Sequence, residues 1–256
     1  MANKAKLQIT NLTKNFGSKK VLNNISFNVN DGEFLSILGP SGCGKTTLLK
    51  ILIGIEEPTS GKISMGNKNI TNVSPEKRHM GIVFQNYALF PNLTVFQNVF
   101  YALNIKLKNK EQAKKESLKM LEMLNMQENI KKYPSQLSGG EQQRVALARA
   151  LVLKPEIILF DEAMSALDAD NKLHLQQELK KIQKNTKTTM IYITHDQEEA
   201  FSLSDRVMIM NDGNIIQIDK PNEIFKHPAN KYVKEFVTTH LLEKVHSIEK
   251  CIKADL

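Results

Sequence analysis

The pattern of apolar and polar positions divides most of the chain into three stretches. Residues 6–38 alternate apolar and polar side chains over short runs, separated by turn residues at 15–17 and 30–32, which predicts strands and hairpins. From about 94 to 155 apolar residues recur at helical spacing. From 156 to 218 short apolar runs alternate with helical stretches, which predicts a parallel sheet covered on both faces. The sequence therefore predicts an α/β core with an N-terminal antiparallel β-subdomain and an inserted α-helical subdomain.

The C-terminal stretch also follows helical spacing. Its apolar residues recur every three or four positions and predict one apolar face of a helix. They are Val233, Val237, Leu241, Val245, Ile248 and Ile252. We therefore assign one domain to residues 1–240, with the helical subdomain at about 94–155 inserted in its core, and a short helical tail to residues 241–256.

Within the predicted helical subdomain, leucines and methionines recur together. Leucines at helical spacing predict an apolar face, with lysines opposite. These leucines are Leu118, Leu121 and Leu124. We interpret three nearby methionines as core filling, namely Met120, Met123 and Met126.

Composition narrows the possible partners. The formal net charge is +8, but only four of the 35 basic residues are arginine. Because arginine is favoured in bidentate recognition of phosphates and guanines, we interpret the lysines as a solvated surface, with weak attraction to an anionic membrane as the alternative. We expect no nucleic acid partner. The first residues form no apolar signal segment, and no stretch approaches the ~20 apolar residues of a membrane span. If the protein works at a membrane, another chain must hold it there.

A glycine-rich loop is the first sign of chemistry. Residues 39–46 read GPSGCGKT and match the P-loop pattern, with an apolar strand before them and a helix after them. Glycines let successive backbone N–H groups face phosphates, and the helix N-terminus adds a positive dipole end. Lys45 would reach the β- and γ-phosphates, and Thr46 would hold Mg²⁺. We assign phosphate binding to Ser41, Gly42, Cys43, Gly44, Lys45, Thr46 and Thr47.

Two acids follow a buried strand. Residues 157–160 are apolar, and Asp161 and Glu162 come directly after them. This places both carboxylates at the C-terminal edge of a sheet, where ligands bind in open α/β folds. Asp161 would contact Mg²⁺. Glu162 would act as general base on the attacking water, a contribution of ~10²–10⁴-fold.

A second glycine-rich segment opens another helix. Ser138 and Glu141 fit a capping box, and Gly139 and Gly140 expose backbone N–H groups at the positive end of that helix. This makes a second anion site in a chain whose P-loop already holds a triphosphate. Two anion sites favour an arrangement of two chains.

The residues 137–151, LSGGEQQRVALARAL, resemble the signature segment of ABC transporter ATPases, and the motifs follow that family's order up to about residue 236. The resemblance implies ATP and Mg²⁺ as ligands and a head-to-tail pair of chains. Each nucleotide would lie between the P-loop of one chain and Ser138, Gly139 and Gly140 of the other.

The same resemblance implies roles for four further residues. Gln85 corresponds to the glutamine that senses Mg²⁺, the water and the partner. His195 corresponds to the histidine on the γ-phosphate, and Asp168 to the aspartate that acts across the dimer. Phe16 corresponds to the aromatic that stacks on adenine; its alternative is a core residue of a hairpin.

Grouped by role, the catalytic candidates are Lys45, Gln85, Glu162 and His195. The metal candidates are Thr46, Gln85 and Asp161. Two positions depart from the family, because Ala163 stands where proline is usual and Glu141 where glutamine is common. Neither departure removes a group that the chemistry requires.

The segments 87–95 and 194–221 resemble the importer subgroup that serves polyamines, ferric iron, phosphonates and sugars. That subgroup implies a dimeric membrane permease as partner, a solute-binding protein acting indirectly, and a peripheral location on the cytoplasmic face of the cell membrane. Many members carry a further C-terminal domain, for which a chain ending at Leu256 leaves no room. The alternatives are a soluble ABC-type ATPase acting on nucleic acid or ribosomes, and a P-loop kinase or GTPase. The sequence shows no long coiled coil and no zinc-binding cysteines, which argues against the first alternative. It also shows no N-K-x-D motif, which argues against a GTPase.

The segment that follows Gln85 is rich in aromatic residues. Residues 85–101 hold five of the chain's sixteen phenylalanines and tyrosines. We expect them to form an exposed cluster that accepts a short helix from the permease, with subdomain packing as the alternative. They are Tyr87, Phe90, Phe96, Phe100 and Tyr101.

Overall fold

The computed structural model describes residues 5–165, 167–243 and 245–246. The chain is divided between two units. One unit combines the residues up to Asn72 with those from Ile191 onward, and the other runs from Val73 to Met190. Each unit is described by itself.

Strands dominate the first part of the first unit. Its elements are β1 (Ala5–Phe16), β2 (Lys19–Asn30), β3 (Phe34–Leu38), α1 (Lys45–Ile53), β4 (Ser60–Met65) and β5 (Lys68–Asn69).

Helices dominate the second unit. Its elements are β6 (Met80–Val83), α2 (Val95–Leu107), α3 (Lys110–Met123), α4 (Gly139–Leu151), β7 (Ile157–Asp161) and α5 (Ala169–Thr186).

The chain returns to the first unit through β8. The remaining elements are β8 (Thr189–Thr194), α6 (Gln197–Leu203), β9 (Arg206–Asn211), β10 (Asn214–Asp219), α7 (Pro221–Lys226) and α8 (Lys231–Val233), followed by a π-helical turn at Lys234–Thr239.

The N-terminal alternation builds an antiparallel sheet. The strand order is β2-β1-β4-β5, and Ile9 of β1 lies opposite Phe27 on one side and Ile63 on the other. These three side chains are buried, as the period-two pattern requires. Gly61 permits the close pairing, since an added Cβ there would lie 2.6 Å from the Asn11 carbonyl oxygen.

The first unit also contains a second sheet, in the order β10-β9-β3-β8. Strand β3 runs parallel to β9, and every residue of β3 is buried. Such fully buried strands, apolar here except for Ser36, are typical of a parallel sheet covered on both faces. A buried core joins the end of β3 to the C-terminal helices. It contains Leu38, Ala200, Val207, Ile209, Ile224, Val233 and Val237.

In the second unit, β6 runs parallel to β7, with Val83 opposite Phe160. Side-chain caps start its helices: Thr94 caps α2, Asn109 caps α3 and Ser138 caps α4. Each cap satisfies a backbone N–H group that the first helical turn leaves without a helical partner.

The buried face of helix α3 differs from the predicted one. Leu121, Leu124 and Met126 are buried, but Leu118 is 37% exposed and Met123 is 48% exposed. The interpretation of Met123 as core filling is therefore wrong. Ala113, Ser117 and Leu121 form the buried face of α3, and Leu118 and Met123 point away from it.

The C-terminal stretch is helical as far as it is described. Val233 and Val237 are buried, Leu241 packs partly buried against the core, and Val245 is 51% exposed. Ile248 and Ile252 lie outside the described residues. Within the described part of the chain, no helix is both long enough and apolar enough to cross a membrane.

Candidate functional site

The P-loop joins β3 to α1, and the packing of its own unit requires two of its three glycines. An added Cβ on Gly39 would lie 2.4 Å from the Met210 carbonyl oxygen, and one on Gly44 would lie 2.8 Å from the Val21 carbonyl oxygen. Gly44 also has a φ of 106°, which side chains rarely adopt. The loop is thus held by steric fit to neighbouring backbone.

Lys45 lies inside this loop. Its side chain is only 4% exposed, and Nζ donates to the carbonyl oxygens of Gly39 (2.7 Å) and Pro40 (2.9 Å). The first turn of α1 contains no acidic residue, so its positive end is not neutralised locally. The lysine and the helix end together present positive charge to an anion.

The remaining P-loop candidates differ in exposure. Ser41, Gly42 and Thr46 are exposed, and Thr47 is half-buried. Cys43 is buried, which raises the pKa of its thiol, and its carbonyl oxygen accepts a hydrogen bond from the Gly213 N–H group. Its own N–H group donates to the Pro40 carbonyl oxygen (3.4 Å), so the backbone of Cys43 is bonded within its unit and its side chain packs inward.

Phe16 ends strand β1 with its ring 49% exposed. The Lys14 Nζ lies 4.7 Å from the ring centroid, within the range of a cation–π contact. That ammonium also pairs with Glu56 at 2.6 Å. An exposed ring held from one side leaves a surface on which a flat base could stack.

His195 follows β8 and is exposed. The strand end before it is anchored by Glu199, whose Oε2 accepts from the Tyr192 hydroxyl and from Thr194 Oγ1, both at 2.8 Å. Asp196 then caps α6. Sequence reasoning missed Glu199; the signal was an acid one helical turn after a histidine at a strand end.

In the second unit, the structure brings Gln85 next to the loop that follows β7. Gln85 Nε2 donates to Ser165 Oγ (3.1 Å), and Ser165 Oγ donates to the Glu162 carbonyl oxygen (2.9 Å). Asp161 and Glu162 are half-buried, and Glu162 has a φ of 47°. Ser165 is a second residue that sequence reasoning missed, although it precedes the predicted Asp168, which is exposed.

The helix α4 begins with the predicted capping box. Ser138 Oγ accepts from the Glu141 N–H group (3.3 Å), and Glu141 Oε2 accepts from the Ser138 N–H group (2.7 Å). Asn129 also donates to Glu141, at 2.6 Å. These bonds, the one from the Ser138 backbone above all, hold the pKa of Glu141 below its usual range.

The start of α4 is open to a ligand. An added Cβ on Gly139 would make only ordinary contacts, 3.6 Å from Leu167 and 3.7 Å from the Tyr87 hydroxyl. A cavity of about 360 Å³ lies beside this helix end. Its lining residues are Ser138, Gly140, Glu141, Arg144, Leu167 and Leu175.

The aromatic segment divides into a buried and an exposed part. Tyr87 is only 6% exposed, so the prediction that it joins an exposed cluster is wrong. Phe90 and Tyr101 are 43% and 52% exposed, with ring centroids 5.6 Å apart. Phe96 and Phe100 are half-buried and stack on each other.

The strand–loop–helix unit with its buried lysine, and the acids after a buried strand, define a P-loop protein of the α/β class. A family model described as ABC transporter matches residues 22–165, and the chain belongs to this family.

Curated relatives within this family are similar over most of the chain. The spermidine/putrescine import ATP-binding protein PotA of Haemophilus influenzae is 46% identical over 93% of this chain. PotA of Thermotoga maritima is 45% identical over 95% of this chain. The chain spans 64% and 66% of the lengths of these two relatives.

Solved structures confirm the predicted fold class. CbiO1 of Clostridium perfringens, described as part of the ABC transporter complex CbiONQ, has a TM-score of 0.81 at 31% identity, covering 96% of this chain and 99% of that one. A dimeric ATP-binding cassette in a post-hydrolysis state, bound to ADP and phosphate, has a TM-score of 0.75 at 35% identity and covers 84% of this chain and 98% of its own.

Proposed function

We propose that this chain is the subunit that binds and hydrolyses ATP in an ABC importer, and that it powers a separate membrane permease. The presence of two anion-binding helix starts, one at the P-loop and one at Ser138, carries this proposal. Glycines precede α1 and form the first two positions of α4, and only α1 begins with a lysine whose ammonium the preceding loop holds. The first start would hold the chain's own triphosphate, and the second the triphosphate of a partner chain.

The P-loop residues would bind the phosphates through backbone N–H groups, and Lys45 would contact the β- and γ-phosphates. Phe16 would stack on adenine. His195, held at a strand end that Glu199 anchors, would contact the γ-phosphate. Asp168 would act across the dimer. These roles follow the family resemblance, and the exposure of Phe16 and His195 supports them.

The predicted metal ligands are of the right chemical type for magnesium. Asp161 and Gln85 of the second unit offer a carboxylate and an amide oxygen, and Thr46 of the first unit offers a hydroxyl, all hard oxygen ligands of the kind that Mg²⁺ prefers. The amide nitrogen of Gln85 is already bonded to Ser165, which leaves its oxygen as the donor to a cation. When bound, the ion would neutralise charge on the phosphates.

Glu162 would take the proton of the attacking water. Its backbone has a φ of 47°, in the left-handed region where residues other than glycine are uncommon. Ser165 holds its carbonyl group. Such constrained geometry is a known feature of catalytic positions and fits a base that must be aimed.

Two chains would pair head to tail, with each nucleotide between the P-loop of one chain and Ser138, Gly139 and Gly140 of the other. The solved dimeric cassette supports this pairing as a proposal for this chain. The permease would dock near the exposed Phe90 and Tyr101, which places the subunit at the inner face of a membrane. The named relatives act in import, which favours this proposal over an ATPase acting on nucleic acid.

The first solutes to test are polyamines, because the curated relatives are spermidine/putrescine import proteins. A solute-binding protein outside the membrane would deliver them to the permease.

Phosphate release by the purified chain tests the proposal. We expect hydrolysis of ATP with Mg²⁺ and none when a chelator removes the ion. Because the site needs two chains, the rate per chain should rise with protein concentration and then level off. A rate per chain that is constant down to nanomolar protein would contradict the paired arrangement. Absence of any hydrolysis would contradict the activity.

A further inference from the structure

The Tyr87 hydroxyl is a buried polar group that the proposed chemistry does not use. Tyr87 is 6% exposed, and its hydroxyl oxygen has no hydrogen-bond partner among the described residues. Burial raises the pKa of this phenol, so it remains an O–H group. An unpaired buried hydroxyl is costly, and most buried polar groups are paired. This group is therefore an exception that requires an explanation.

The hydroxyl lies at the start of α4. It would be 3.7 Å from a Cβ on Gly139, the first residue of that helix and the neighbour of Ser138. Helix α4 has 13 residues and a dipole that is positive at its N-terminus, although the Glu141 carboxylate in its first turn offsets part of that charge. A buried O–H donor at this end can interact with an anion that binds there.

The backbone of Tyr87 is held so that the ring stays in place. Tyr87 and Ala88 both have left-handed φ values, 60° and 46°. Arg149, in the last turn of α4, donates to both carbonyl oxygens, at 2.9 Å and 2.7 Å. One arginine thus stabilises two consecutive residues in a conformation that is unfavourable for side chains. Tyr87 therefore contacts α4 near both of its ends.

The same turn leads directly to Gln85. Gln85 lies two residues before Tyr87 and donates to Ser165, which donates to the Glu162 carbonyl oxygen. A shift of Tyr87 would be transmitted through two peptide units to this hydrogen-bonded chain. Short, packed connections of this kind can carry coupling between sites.

We propose that Tyr87 is a positioning residue whose hydroxyl responds to the anion at the start of α4 and sets the position of Gln85. This inference rests on the proposed function. In a head-to-tail pair, the anion at α4 belongs to the nucleotide of the partner chain, whereas Gln85 acts on the chain's own nucleotide. Tyr87 would then link the two nucleotides of the dimer within one chain.

The test is Tyr87→Phe, with Tyr133→Phe as the matched control. Both remove one phenol oxygen, but Tyr133 is 45% exposed and has no role in the proposed site. Hydrolysis is measured against ATP concentration with Mg²⁺, and thermal unfolding without nucleotide. We expect Tyr87→Phe to lower the maximal rate by about 3- to 10-fold, the effect of one hydrogen bond, and to reduce the Hill coefficient.

Thermal unfolding distinguishes a positioning role of Tyr87 from a packing role. Because the hydroxyl has no described partner, Tyr87→Phe should leave the melting temperature unchanged or higher, as should the control. An unchanged rate and Hill coefficient in Tyr87→Phe would overturn the inference, and so would a lower rate with unchanged cooperativity. A wild-type protein that hydrolyses no ATP would instead contradict the proposed function itself.

Discussion

The P-loop and the segment 137–141 are both glycine-containing turns that start a helix, yet they are held in different ways. At Gly39, backbone of the same unit fills the space where a Cβ would lie, at 2.4 Å. At Gly139 the corresponding contacts would be ordinary, at 3.6 and 3.7 Å. Packing within the chain therefore requires Gly39 but does not require Gly139. We infer that Gly139 is needed for a ligand that approaches from outside.

The polar contacts of the two turns also differ, because backbone groups make them in the P-loop and side chains make them at the start of α4. In the P-loop, backbone carbonyls hold the Lys45 ammonium. At the start of α4, side chains satisfy the backbone through the Ser138 and Glu141 capping box. A loop built from backbone contacts has one stable shape, whereas side-chain contacts can exchange for a ligand at small cost. Under the proposed function, the first region would be a preformed site, and a partner chain would complete the second.

The largest expected effect comes from Glu162→Gln. This change keeps the shape of the side chain but removes its basicity, so nucleotide binding should persist while hydrolysis falls by ~10²–10⁴-fold. Phosphate release and equilibrium ATP binding measure the two effects. Glu156→Gln, one residue before β7 begins, is the matched control and should retain full hydrolysis. Near wild-type hydrolysis by Glu162→Gln would remove this residue from the role of base.

The same change, glycine to alanine, at Gly39 and at Gly139 tests the comparison between the two turns. Gly39→Ala should lower the free energy of unfolding by about 1–3 kcal/mol through overpacking, and weaken ATP binding by the dilute chain. Gly139→Ala should leave stability and dilute-chain binding near wild type, yet lower hydrolysis. Thermal unfolding, nucleotide titration and phosphate release distinguish these outcomes. If Gly139→Ala destabilises the chain as much as Gly39→Ala, the two turns do not differ as described.

The exposed aromatic pair should matter for coupling rather than for chemistry. Phe90→Ala removes a ring that is 43% exposed, so the isolated subunit should hydrolyse ATP within a few-fold of normal, while solute uptake in vesicles with the permease should fall strongly. Phe225→Ala, at 38% exposure, is a control from the other unit. Equal loss of uptake, hydrolysis and stability in Phe90→Ala would make this ring a packing residue.

The smallest effect concerns pH. The folded chain lowers the pKa of Glu141, so its ionised form adds stability above the unfolded pKa, and this stability is lost as pH falls through the folded pKa. Glu141→Gln should cost up to about 1 kcal/mol at pH 7, the usual value of a cap, and less near pH 4. Thermal unfolding at both pH values, beside Glu122→Gln, measures the difference. A cost that grows towards pH 4 would contradict the sign.

Local spacing was enough to locate the motifs of the proposed site. The P-loop, the two acids after β7 and the capping box of Ser138 each depend on residues within about ten positions of one another. Their backbone geometry follows from glycine placement and strand termination, which the sequence displays directly. Asn129, which also donates to Glu141, lies 12 residues away and was not predicted.

Burial of single side chains was harder to predict. Met123 was expected to be buried and Tyr87 to be exposed. Both predictions failed because neither helical spacing nor a local excess of aromatic residues shows which distant segments pack against a side chain. Ser165 and Glu199 were missed for a related reason. Their importance comes from hydrogen bonds to Gln85 and Tyr192, and a serine or glutamate carries no distinctive pattern of its own.

The sequence by itself determined the family, the order of the motifs and the residue types that we propose to meet the phosphates. Only the tertiary structure decided that Tyr87 is buried against the start of α4 and that Arg149, 62 residues further along the chain, holds its backbone. The physical reason is the distance along the sequence between the residues that interact. A helix start or a phosphate loop is specified by adjacent residues, whereas the burial of a side chain depends on what distant segments pack against it.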